Sequence, residues 1–207
     1  MPMKKLVLKT AIITFVASLV FGLALFGIFS LAAPKVMMNF TESIGLTGLS
    51  GDYAYQEYER SGDLDCLTRS FLIAADRKQD GKADSRFEKL RSDKGFEEYC
   101  AGVSAPDIEG GPNYAFRDYL FSQAVSVKYR LAGTKESKTA VIEFVIEATE
   151  GSFEKGNPVV SLAAEAVRAK DKAFCGELAQ RLNAESKFEH NGLYNSIVNK
   201  LEELASE

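Results

Sequence analysis

The hydrophobic pattern divides the chain into two unlike stretches. Residues 11–33 read AIITFVASLVFGLALFGIFSLAA, 23 positions without a charge. A helix that long reaches roughly 34 Å at ~1.5 Å per residue, enough to cross a ~30 Å hydrocarbon core with some tilt. Beyond residue 52 the apolar positions recur at helical spacing. Leu64, Leu67, Phe71 and Ala74 share one face, and so do Phe116, Leu120, Ala124, Val127 and Leu131. Phe87 with Leu90, then Val141, Phe144, Val145 and Ala148, repeat the spacing. Ala163, Ala164 and Val167 give a thin face, Phe174, Leu178 and Leu182 a fuller one, and Tyr194, Ile197, Leu201 and Leu204 close the chain.

Turn chemistry punctuates these faces. Ser61-Gly62-Asp63, Asp80-Gly81, Lys94-Gly95, Lys170-Asp171 and Asn191-Gly192 read as turns, and Asn157-Pro158 as a helix start. SAPDIEGGPN at 104–113 is the clearest internal break, with Asn113 placed to cap the next helix. SVKYRL and TAVIEFVIEA also fit a β-hairpin across residues 125–149. The stripe from Phe116 never settles into period two, which favours helix.

The fold class expected is therefore all-α. One transmembrane helix precedes eight or nine short antiparallel helices, an array rather than a four-helix bundle. The expected organisation is a basic N-terminus at 1–10, a membrane helix at 11–33, a juxtamembrane linker at 34–51 and a helical domain at 52–207. In the linker, Met37, Met38, Phe40 and Ile44 can meet either the bilayer surface or the domain.

Charge adds direction. Lys4, Lys5 and Lys9 are the only charged residues ahead of position 34, so 22 basic residues face 29 acidic ones beyond it, a formal −7. Lysines ahead of the span place the N-terminus in the cytoplasm and the body outside, a single-pass cell-membrane protein. The span is longer than the apolar core of a cleaved signal. Ser30 and Ala32 nevertheless satisfy a small-x-small cleavage pattern, so a secreted form is the alternative. An acidic body argues against nucleic acid as a partner.

Candidate chemistry is sparse. P-loop, dinucleotide, nucleophile-elbow and H-E-x-x-H patterns are absent. Asp76, Asp80 and Asp84 around Gly81 fail the spacing of a calcium loop. His190 stands alone in a polar turn. Catalysis, cofactor and metal are not expected. Cys66, Cys100 and Cys175 sit beside apolar helix positions and read as buried thiols, with a Cys66–Cys100 bridge as the alternative.

Tyr58, Gly62, Leu64, Leu67, Phe71 and Ala74 follow the order of a tetratricopeptide-type hairpin. Leu67 stands where that motif prefers alanine, and its closing proline is missing. Gly133, Ala140 and Phe144 supply part of a second hairpin with a longer turn, and 157–184 keeps the helical spacing alone. The chain thus resembles tetratricopeptide-like repeats, in the layout of bacterial proteins with one N-terminal anchor and an exported helical body. The resemblance implies an extracytoplasmic scaffold for protein–protein interaction; a structural subunit of an envelope complex and a tethered enzyme without a recognisable motif are the alternatives. It also implies a binding face on the first helix of the matching hairpin, at Asp52, Gln56, Glu59 and Arg60. That face is mainly acidic and suits a basic or polar peptide rather than an acidic one.

Overall fold

The structure, a computed structural model, describes residues 2–103, 115–149 and 156–207, with side chains from residue 7 onward. The break expected at 104–113, and Asn113 with it, lies outside the described residues. Among those residues the chain is all-helical, with eleven helices and no strand. These are α1 (Pro2–Ala32), α2 (Pro34–Ser43), α3 (Thr47–Ser61), α4 (Leu64–Asp76), α5 (Asp80–Arg91) and α6 (Phe96–Gly102), then α7 (Phe116–Leu131), α8 (Lys135–Ala148), α9 (Pro158–Ala169), α10 (Lys172–Ala184) and α11 (Gly192–Ser206). Two compact units emerge, Met1–Ser70 and Phe71–Glu207, with the boundary inside α4.

In the first unit, α1 contains an apolar stretch from Val7 to Ala32 long enough to cross a membrane. Residues 34–51, expected as a linker, instead form α2 and the start of α3. Ala33 leaves helical geometry (φ −141°, ψ 63°), and Pro34 occupies the first turn of α2, where its missing N–H costs nothing. Gly45 ends α2 in the left-handed region at φ 78°. Its amide reaches Glu42 O at 2.9 Å and the Leu46 amide reaches Thr41 O at 2.7 Å, the paired bonds of a Schellman cap. The resulting hairpin closes over Met37, Met38, Tyr53 and Ala54. Buried Thr41 satisfies its hydroxyl on Met37 O at 2.7 Å. The first half of α4 is tied down by Ser70 Oγ, which donates to Gly51 O at 2.8 Å, and by the Arg69–Glu42 ion pair.

In the second unit, α7 packs most closely on α9, and α10 on α11. Their shared core includes Val125, Ile142, Val145, Leu162, Leu178 and Leu201. A second focus is aromatic: Phe87 meets Phe71 and Phe121 at centroid distances of 5.2 Å each, and Phe121 stacks on Phe144 at 5.7 Å. Lys128, 18% exposed, clamps α7 to α5 through Asp84 at 2.7 Å and Glu88 at 2.6 Å.

Residues 125–149 are helical, not a β-hairpin. Val141, Ile142, Val145 and Ile146 are buried while Glu143 and Glu147 are exposed, which is helical periodicity in a β-branched sequence. Tertiary burial overrides local strand preference there, and the Thr134–Ser137 capping box starts the helix. Asn157 caps α9 by accepting from the Val159 amide at 2.8 Å, and Asn191 caps α11 through the Tyr194 amide at 2.9 Å. The turn expected at Asp80-Gly81 falls earlier, at Lys78 (φ 54°), so Asp80 and Gly81 open α5. An acid in a first turn suits the helix dipole, and Asp80 also pairs with Arg130 of α7.

Candidate functional site

The face inferred from the tetratricopeptide resemblance lies on α3, within the first unit. Gln56 and Glu59 are exposed, while Asp52 is half-buried. Arg60 is already engaged: its Nη1 donates to Ala32 O, the last carbonyl of α1, at 2.9 Å. A helix C-terminus leaves carbonyls unpaired and carries partial negative charge, so a guanidinium suits it. Two residues earlier on α1, Ser30 Oγ and Tyr53 Oη share a hydrogen bond of 2.7 Å. The α3 surface therefore grips the end of α1 with one of the four residues expected to meet a partner.

A groove of about 1020 Å³ lies in the second unit, bordered by α8, α10 and the end of α11. Lys135, Lys138, Lys172 and Arg181 line it against Asp171 and Glu177. Several of these charges are fixed. Asp171 caps α10 through the Phe174 amide at 3.2 Å, accepts from Tyr129 Oη at 3.3 Å, and is ion-paired with Lys138. Burial pushes the Asp171 carboxyl up, but the Lys138 and Phe174 hydrogen bonds outweigh it and leave the group below the ordinary carboxylate range. Tyr129, raised by burial and then by Asp171, reaches about 12 and stays a neutral phenol. Arg181 meets Glu143 at 2.8 Å, and Thr139 Oγ1 donates to Glu177 at 2.6 Å. At Gly176, α10 comes close to α11: a Cβ there would stand 3.4 Å from Ala205 Cβ, at the edge of ordinary contact.

The Lys138–Asp171 ion pair and the Asp171 cap of α10 fix part of the groove's polar lining. Its residues come from positions 133–139, 171–184 and 205, so no local motif announces them. The nearest sequence signal is the lysine spacing at 135 and 138.

The other sequence candidates stand apart from the groove. All three cysteines are buried free thiols, and no Cys66–Cys100 bridge forms. Burial raises Cys66 and Cys100 to about 11 each, reinforced by Asp63 and Glu97 respectively, and it raises Cys175 too. Thiols held that high are poor nucleophiles. Exposed His190 stacks on Tyr194 at 4.3 Å between ring centroids. Asp80 pairs with Arg130 and Asp84 with Lys128, so two of the three aspartates around Gly81 serve interhelical ion pairs. Among the described residues no group of three His, Cys, Asp or Glu side chains is arranged to hold a metal.

No family model, curated protein or solved structure matches this chain.

Proposed function

We infer that this chain is a single-pass membrane-anchored scaffold for protein–protein interaction, its N-terminus cytoplasmic and its helical body outside. One observation carries the reading. Positions 7–29 of α1 are exposed throughout, yet the last turn of the same helix is bonded into the folded body through Ser30 and Ala32. Apolar surface of that extent needs a nonaqueous phase, and the hydrocarbon core is the one its length fits. Those two bonds also favour retention of the helix over cleavage, because cutting after Ala32 would remove the partners of Tyr53 and Arg60. The lysines at 4, 5 and 9 supply the orientation.

The partner is a polypeptide segment, and the groove between α8 and α10 is the better-formed surface for it. The lining carries four basic against two acidic side chains, which favours an acidic segment there. A basic segment would instead select the acidic α3 face at Asp52, Gln56 and Glu59. Repeat character is supported by pairing order: α7 contacts both α8 and α9, and α8 contacts α10, as in stacked hairpins. The groove uses the second helices of such pairs, whereas the tetratricopeptide resemblance assigns the first.

Full-length protein should stay in the membrane pellet through alkaline carbonate extraction, and external protease should digest the body in wall-stripped cells. Release of a soluble chain beginning at Ala33 would refute the anchor. After crosslinking in membranes, Lys135→Glu with Lys172→Glu should reduce partner recovery while helicity is kept. If Asp52→Lys with Glu59→Lys reduces it and the groove variant does not, the α3 face is the site.

A further inference from the structure

The hairpin that follows α1 has an outer surface that the protein core does not use. At about 100° per residue, α2 sorts its positions into three arcs. Met37, Met38, Thr41 and Pro34 point inward and are buried. Lys35, Asn39, Glu42 and Ser43 form an exposed polar arc. Val36, Phe40 and Ile44 occupy the remaining arc, about 80° wide, and contain no polar position. Past the Gly45 turn, Leu46 and Leu49 are exposed as well. All five side chains are between 45% and 58% exposed. Single exposed apolar residues are ordinary, but five on one short hairpin, segregated from the charges of the same helix, make a patch.

Chain continuity says what covers it. Ala32 ends the apolar helix, and Pro34 starts α2 two residues later, at most roughly 7 Å of chain away. The Arg60 guanidinium sits on Ala32 O, and a charge is expensive in hydrocarbon, so Ala32 marks the level where the headgroups begin. An amphipathic helix held at that level, with one clean apolar stripe, has the acyl–headgroup boundary as its natural phase.

We propose that Val36, Phe40, Ile44, Leu46 and Leu49 form a lipid-contact surface that seats the α2–α3 hairpin in the outer boundary of the same bilayer that α1 crosses. This rests on the membrane-anchor reading above. The surface fixes the first unit against the membrane plane, so that the anchor sets tilt as well as location. Of the four side chains that sequence left between lipid and protein, the structure gives Met37 and Met38 to the protein core and leaves Phe40 and Ile44 to lipid.

The chain contains no tryptophan, so single substitutions report without background. Full-length Phe21→Trp, Phe40→Trp and Asn39→Trp variants are placed in vesicles of phosphatidylcholine and phosphatidylglycerol. The lipids are brominated either near the headgroup end or near the methyl end of the acyl chain. Phe21→Trp, deep in α1, should be quenched best by the deep bromines. Phe40→Trp should emit at shorter wavelength and be about halved by the shallow bromines, as suits a depth of about 5–10 Å. Asn39→Trp, on the polar arc, should be quenched least. If Phe21→Trp is quenched and Phe40→Trp is not, the anchor stands and the lipid-contact surface is wrong. Blue-shifted but unquenched Phe40→Trp emission would give the stripe to a second copy or another protein surface, and also refutes the proposal. If Phe21→Trp itself escapes quenching, the anchor reading fails, and the proposal falls with it.

Discussion

Residues decide chemistry here chiefly by being buried or already paired. Cys66 and Cys100 are 5% and 6% exposed, and a raised thiol pKa has a defined consequence for stability. The folded thiol holds its proton where the unfolded one, with an ordinary value near 8.5, has lost it. Its contribution is therefore complete below about 9 and is lost as pH rises toward about 11, the value both thiols reach in the fold. Tyr129 and Tyr194, also raised, act in the same direction at higher pH. At pH 8 the native protein should react slowly with a disulfide reagent, and urea should release three reactive thiols. The urea midpoint should fall between pH 9 and 11. Fast reaction of the native protein at pH 8 would show that the thiols are not shielded.

Among the elements, α7 shows how spacing and position differ. Its stripe is buried at Phe116, Leu120, Ala124 and Val127, but Leu131 is 47% exposed because α7 ends there and the chain turns away. Leu120 has no exposed surface, so Leu120→Ala should cost about 2–5 kcal/mol in urea unfolding. Leu131→Ala, though identical in sequence logic, should stay within about 0.5 kcal/mol. Equal losses at the two sites would mean that α7 is placed wrongly. The same contrast applies to α9, where Val159, Leu162 and Ala166 are buried and Ala164, expected inside, is exposed. Both helical faces are legible from period 3.6, but the rotation of a thin alanine-rich face needs its neighbours to fix it.

The whole molecule is two compact units that share one helix. The second unit has its own core, from Val125 to Leu201, and its own aromatic focus around Phe87. A chain from Asp63 to Glu207 keeps α4 whole, including the bond from the Asp65 amide to Asp63 Oδ1 at 3.0 Å. It should fold to a helical, cooperatively unfolding protein. A chain beginning at Phe71 loses half of α4 and should be less stable. If both unfold without cooperativity, the second unit needs the first. Purified without the anchor, the longer chain should also stay soluble, since the apolar stripe of α1 and α2 has gone.

Sequence alone sets the features whose causes are local. The charge-free run from residue 11, the lysines before it, the cap at Asn157, the turn at Asn191-Gly192, and the stripes of α4, α7 and α10 arise from length, charge and short-range hydrogen bonding. For 125–149 it leaves helix and β-hairpin both open, and burial of Val141, Ile142, Val145 and Ile146 on one face decides for helix. Tertiary packing settles whatever depends on distant partners. It folds 34–51 into a hairpin, because Met37 and Met38 find Tyr53 and Ala54 only after the Gly45 turn brings them together. It commits Arg60 to the end of α1, 28 residues away, and assembles the α8–α10 groove from segments that share no motif. Amphipathic spacing says that a helix has an inner face; which of its two apolar arcs is the inner one is set by the surface it packs against.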